Sequence, residues 1–220
     1  MEFNKKALNR KLIKIATPIA IQGIVSATLS MVDNIMVGFL GETELAAVGV
    51  GSQLFMVHYL VLFGILSGSA TFMAQFYGTK DMANIRKVIG FDFTLLAALG
   101  AVIFLLVNCF TDGILSLYTE DAAVKALAAQ YVRINSLSFL LLAVSSPLEM
   151  AFKATQQVRI PMIISNIIFF TNIAINYVLI FGKLGFPKMG VAGAAIGTIS
   201  SRIIEVLMNT YFAFRKKNEF

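Results

Sequence analysis

Polar positions are sparse along this chain, and they punctuate long apolar runs at regular intervals. A helix needs roughly 20 mostly apolar residues to cross a bilayer. Six stretches reach that length: about 12–40, 52–77, 88–110, 129–153, 161–182 and 190–213. The segments 41–51 (GETELAAVGVG) and 78–87 (GTKDMANIRK) read as turns between antiparallel helices. Segment 111–128, with Asp112, Glu120 and Asp121, is the longest connection and is expected to hold a surface helix. The pattern predicts an all-α membrane protein, a six-transmembrane-helix bundle forming a single unit over residues 1–220.

Within the first apolar run, Ile21–Leu40, stands a carboxylate, Asp33. Ionisable groups at membrane depth are costly and rare unless they handle ions, protons or substrate. Gln22, Ser26, Ser30 and Asp33 follow one another at steps of four, four and three, so they share one helix face. A face of that kind suits a cavity rather than lipid.

Composition agrees with a membrane protein. Hydrophobic residues make up 58% of the chain and charged residues 14%, against about 45–50% and about 25% for soluble domains. The mean hydropathy is +0.80. The first span follows a basic start and lacks a small-residue cleavage site, so it is expected to be retained. The net charge of +6 reflects topology rather than nucleic-acid binding. With the N-terminus in the cytoplasm, Lys5, Lys6, Arg10, Lys11, Lys14, Lys80, Arg86, Lys87, Lys153, Arg159, Arg215, Lys216 and Lys217 face the cytosol. Only Lys125, Lys183 and Lys188 face outward, while Arg133 and Arg202 lie within spans. This positive-inside asymmetry places both termini in the cytoplasm of a cell-membrane protein. A single cysteine, Cys109, leaves no internal disulfide and no multi-cysteine metal site.

Depth sharpens the candidate chemistry. At 1.5 Å per residue, Asp33 lies about 10 Å inward of the outer end of its span. Asn172 and Asn176 on the fifth span lie about 15 and 9 Å inward, and Thr198 on the sixth about 12 Å. Four polar groups on three helices share one level, as a cation or proton site requires. Low dielectric disfavours the charged form of a carboxyl group, so an acid there can exchange a proton. Carboxylate, amide and hydroxyl oxygens also suit a hard cation such as Na⁺. The plain alternative for the Asn and Thr groups is hydrogen bonding between helices.

Other polar groups read mainly as structural. Arg202 pairs with Glu205 and Glu149 with Lys153 at helical spacing. Asp92, one turn into the third span, is expected near the interface beside Arg86 and Lys87. His58 falls near the depth of Asp33 and is a further cavity-lining candidate with Gln22, Ser26 and Ser30. Pro18 and Pro147 should bend their helices. Gly64 with Gly68, and Gly193 with Gly197, have the spacing of close helix packing. The 10 Met and 19 Phe residues suit lipophilic, often cationic, substrates or simply lipid. No HExxH, GxSxG or Walker A pattern occurs, so nothing points to an enzyme, an ATP-driven pump or a cofactor.

Several segments resemble the multidrug and toxic compound extrusion (MATE) transporters. They are Pro18–Ile19 with VDNIMVGFLGETELAAVGVG (32–51), KATQQVRIPMIISN (153–166), NIAINYVLIFG (172–182) and GFPKMGVAGAAIGTISSR (185–202). The resemblance implies cation-coupled antiport, with H⁺ or Na⁺ entering as drugs or other organic cations leave. It implies that Asp33 is the coupling acid, with Asn172, Asn176 and Thr198 as its neighbours. Some relatives carry a second acid where this chain has Asn176. Family members have twelve helices in two six-helix lobes, so this chain resembles one N-terminal lobe. It is expected to be a truncated transporter lacking its C-terminal lobe, with a homodimer as the alternative assembly. A non-transporting membrane subunit and, ranked lower, a flippase of lipid-linked sugars are the other readings.

Overall fold

The computed structural model describes residues 5–215. Of the basic residues counted above, Lys216 and Lys217, and the side chains of Lys5, Lys6 and Lys11, lie outside what is described. The described residues form α1 (Lys5–Gly38), α2 (Glu42–Gly78), α3 (Met82–Cys109), α4 (Thr111–Leu115), α5 (Ala122–Asn135), α6 (Leu137–Ala154), α7 (Arg159–Phe181) and α8 (Val191–Ala213). Six of these helices carry stretches long and apolar enough to cross a membrane: Leu12–Gly38, Glu42–Gly78, Met82–Cys109, Leu137–Ala154, Arg159–Phe181 and Val191–Ala213.

α2 and α3 are longer than the apolar runs from which they were expected. The segments read as turns, 41–51 and 78–87, are mostly helix, and the true turns shrink to Phe39–Gly41 and Thr79–Asp81. Polar residues at these places belong to helix starts. Glu42 and Glu44 occupy the first turn of α2, where acids complement the positive end of the helix dipole. Asp81 caps α3 by accepting from the Asn84 backbone N–H at 3.1 Å. The bundle thus has a Leu40 end and a Thr79 end, and helices run alternately between them.

The expected fourth span, 129–153, is two helices. Segment 111–128 supplies α4 and the first turns of α5, which Asp121 caps by accepting from Ala123 N at 2.8 Å. The chain then breaks at Ser136 between α5 and α6. Asn108 of α3 donates to the Ser136 hydroxyl at 3.0 Å, which in turn donates to the Arg133 carbonyl at 2.7 Å. Pro18 and Pro147 lie within helices that continue through them.

α1 packs chiefly on α7, α7 on α8, α8 on α6, α6 on α3, and α2 on α3 and α5. Apolar packing divides into three clusters. One fills the Leu40 end around Val37, Ala47, Val132, Phe139 and Ile180. A second fills the Thr79 end around Met73, Ile85, Ala151 and Phe152. A third joins α2, α3 and α6 through Leu62, Leu66, Leu96 and Leu142. α1 is the least embedded element, with only 11% of its spanning stretch buried.

Close approach depends on glycine at two crossings. A Cβ on Gly193 would stand 2.8 Å from the Leu179 carbonyl carbon and oxygen, so α7 and α8 touch backbone to backbone. A Cβ on Gly100 would stand 2.7 Å from the Phe139 carbonyl oxygen, which fixes α3 against α6. Gly100→Ala is therefore expected to destabilise the bundle by about 1–3 kcal/mol, the usual cost of overpacking. Unfolding of the purified protein in detergent measures it, and unchanged stability would rule out the tight crossing. Gly64 and Gly68 have nothing within 4 Å, so the packing expected of them is not made within the described residues. Gly182 ends α7 with φ +66°, a left-handed conformation that favours glycine.

Candidate functional site

Asp33 sits five residues before the end of α1, about 7.5 Å from the Leu40 end. Asn176 is likewise five residues before the end of α7, at the same level, and Asn172 lies one turn deeper. The structure brings these three together. Asn176 Nδ2 donates to Asp33 Oδ1 at 2.8 Å and to Asn172 Oδ1 at 2.8 Å. Asn172 and Asn176 are buried, while Asp33 is half-buried at the edge of the bundle. No salt bridge among the described residues involves Asp33. Arg133, the one basic residue expected near its depth, instead donates to Thr111 Oγ1 at 3.2 Å and approaches Asp112 at 4.0 Å.

Asn176 is held by shape as well as by hydrogen bonds. Its Oδ1 is buried without a hydrogen-bond partner among the described residues. The oxygen abuts Gly197 of α8, where any Cβ would overlap it. Gly197 was expected to serve helix packing alone. The structure adds a second role, since its missing side chain leaves the space that sets the Asn176 amide, which in turn holds Asp33. No signal in the sequence ties Gly197 to Asn176, because the two meet only once α7 and α8 pack.

Thr198, the next residue, is partly buried, and its hydroxyl donates to the Ala194 carbonyl of its own helix at 3.0 Å. No hydrogen bond among the described residues joins it to Asp33. Ser26 and Ser30 are exposed on α1, and Ser30 donates to the Ser26 carbonyl at 3.3 Å. Tyr131 of α5, missed by the sequence reading, is buried and lies near Asp33, with Ser52 and Asn135 in hydrogen-bonding reach. Its ring occupies the space over Gly51, where a Cβ would come within 2.6 Å of the ring carbons.

Three expectations about the other polar groups change. His58 does not share the level of Asp33. Because α2 starts at Glu42 rather than near residue 52, His58 lies about 24 Å along the helix from the Leu40 end. It is buried, both ring nitrogens lack hydrogen-bond partners among the described residues, and its ring meets Phe139 edge-on at 4.7 Å. Asp92 is not interfacial. It is fully buried, because α3 begins at Met82, six residues earlier than expected, and carries it further from the helix end. Gln22 belongs to a different cluster from Asp33. Its Nε2 donates to Glu149 Oε1 at 2.7 Å, and Glu149 also pairs with Lys153 at 2.6 Å. Arg202 pairs with Glu205 at 2.6 Å, as the spacing predicted, and lies in the field of Glu149. Two acids, two bases and one amide thus form a second polar layer toward the Thr79 end.

Fold and site together define a multi-pass helical membrane protein with a carboxylate inside a candidate span, hydrogen-bonded to one amide of a neighbouring helix. A sequence model of the MatE family matches residues 18–178, and the chain belongs to that family. It is 29% identical over 217 residues to a probable multidrug resistance protein NorM of Thermotoga maritima, covering 97% of this chain and 46% of that protein. It is 30% identical over 204 residues to a protein of the same description from Bacillus anthracis, covering 92% of this chain and 45% of the relative. The fold matches an outward-facing multidrug resistance MATE family transporter of the MOP superfamily, with a TM-score of 0.86 at 23% identity over 95% of this chain and 46% of that one. It also matches the eukaryotic MATE transporter AtDTX14, with a TM-score of 0.85 at 23% identity over 94% and 46% of the two chains. The chain spans about half the length of the relatives it matches.

Proposed function

We propose that this chain acts as the N-terminal lobe of a cation-coupled exporter of drugs or other organic cations, with Asp33 binding the coupling ion. The observation that carries the reading is the Asp33–Asn176–Asn172 cluster, an acid at membrane depth with amide neighbours and, among the described residues, no paired base. The relatives named as probable multidrug resistance proteins support the export of organic compounds. Alternating access between two lobes requires a second six-helix unit, supplied by the same polypeptide, by a partner or by a second copy of this chain. Coupling by H⁺ or Na⁺ differs in what it asks of the site. The amide N–H₂ of Asn176, not its oxygen, faces the carboxylate. A proton binds Asp33 without rearrangement, whereas Na⁺ gains the Asn176 oxygen as a ligand only if the amide turns it inward.

Ethidium efflux from drug-hypersensitive cells tests the reading, with the chain expressed beside an empty vector. Export above the vector shows that the chain assembles into a working exporter. Absence of export from a correctly inserted chain shows that it needs a separate second lobe.

The proposed orientation, with both termini in the cytoplasm, puts the Leu40 end outside. Cys109 is the last residue of α3 at that end, and it is exposed. A membrane-impermeant maleimide is expected to label Cys109 in intact cells. Labelling only after the membrane is opened would reverse the topology.

A further inference from the structure

Asp92 is a buried acid that the proposed coupling site does not use. On α3, Ile85, Ile89, Asp92, Leu96 and Gly100 are buried along one face, and on α2 so are Leu62, Leu66, Ser69 and Met73. The two faces meet, and Asp92 with Ser69 forms a single polar layer between the apolar cluster around Leu96 and the one around Ile89. Ser69 Oγ donates to Asp92 Oδ1 at 2.5 Å. Asp92 Oδ2 is buried and has no hydrogen-bond partner among the described residues. Asp92 lies about 15 Å from the Thr79 end of α3, and Ser69 about 13.5 Å from the same end of α2. On α6, Ser145 falls at that level too, with its own hydroxyl buried and unpartnered.

Among the described residues, the charged and titratable groups on the packed elements offer no counter-ion in this layer. On α3 itself, Arg86 and Lys87 are exposed and precede Asp92 by six and five residues, which places them on other faces of the helix. On α2, His58 lies eleven residues before Ser69, about 16.5 Å away along the axis. On α6, Glu149 and Lys153 are paired with each other. Toward the Leu40 end, where α4 and α5 reach α3, Arg133 stands beside Asp112. A bare carboxylate buried without a cation is heavily penalised, and such groups neutralise instead. Two carboxylate oxygens and one hydroxyl are too few ligands for a hard metal cation.

We infer that Asp92 is a proton-binding site, held in this structure as a neutral carboxylic acid with its proton on Oδ2 and Ser69 donating to Oδ1. Ionisation breaks the Oδ2–H bond and passes the proton to water, which must enter the α2–α3 seam to receive it. This acid lies toward the Thr79 end and stands apart from any role of Asp33, toward the Leu40 end, in export. Infrared spectroscopy of the purified, lipid-reconstituted chain tests the inference directly. The wild-type spectrum is expected to show a protonated-carboxyl C=O band that shifts down in D₂O and is lost in Asp92→Asn. If that variant does not fold, Ser69→Ala serves instead. Loss of the hydrogen bond to Oδ1 then moves the same band to higher frequency. An unchanged carboxylic-acid region in whichever variant folds would overturn the inference, whatever the efflux experiment shows.

Discussion

Asp33→Asn is expected to abolish the proposed ion-coupled export and to leave the protein folded in the membrane. The amide keeps the size of the carboxyl group and one oxygen to accept from Asn176, so the tie between α1 and α7 survives. Hydrogen bonds between membrane helices average about 0.6 kcal/mol, and stability should move by no more than about that amount. What disappears is the only acid in the cluster, and with it the capacity to take up a proton or neutralise Na⁺. In any assembly of this chain that exports ethidium, efflux is expected to fall to the empty-vector rate in the variant. Melting of the purified lobe supplies a second readout. A bound ion stabilises the folded state by mass action, about 2.7 kcal/mol at a hundred times its dissociation constant. A midpoint that rises with Na⁺ in the wild type and not in Asp33→Asn identifies Na⁺, whereas a flat response in both leaves H⁺ as the coupling ion. Wild-type efflux by Asp33→Asn would end the assignment.

Gly197→Ala is expected to damage the same site from a helix that does not touch Asp33 through any hydrogen bond. The new methyl group would overlap Asn176 Oδ1, so either α8 retreats from α7 or the Asn176 side chain leaves its place. Retreat is opposed by the backbone contact one turn away at Gly193. Overpacking costs about 1–3 kcal/mol, and displacement of Asn176 removes both of its hydrogen bonds. Loss of stability should therefore be accompanied by loss of the ion response. The double variant Gly197→Ala/Asn176→Ser relieves the overlap. Its stability should recover toward that of Asn176→Ser alone, a non-additivity expected of residues in contact, while the ion response stays lost. A Gly197→Ala protein with wild-type melting and wild-type ion response would show that the gap at Gly197 does not position Asn176.

Much of this arrangement was legible in the chain because apolar length and polar spacing are local properties. The six spans, the shared level of Asp33 with Asn176, and the Arg202–Glu205 and Glu149–Lys153 pairs all follow from counting along single helices. The misplaced groups share one cause. Polar residues at the starts of α2 and α3 look like loops in sequence, yet they cap and charge helix ends, and so His58 and Asp92 sit deeper than expected. The break at Ser136 depends on Asn108, 28 residues away, and no local pattern announces it. Gly197 and Gly193 share a spacing but not a task, because only packing shows which of them faces a backbone and which an amide.

The polar ties of α1 also bear on how the protein is made. Asp33 finds Asn176 across 143 residues, and Gln22 finds Glu149 across 127. Synthesis proceeds at about 5–20 residues per second. The first helix therefore waits on the order of 7–30 s after emerging before α7 exists, without its amide partner. Throughout that interval the helix must hold its place through its apolar surface and its basic start alone. The polar ties of α1 are therefore expected to form last, and variants that weaken α7 should leave α1 inserted without them.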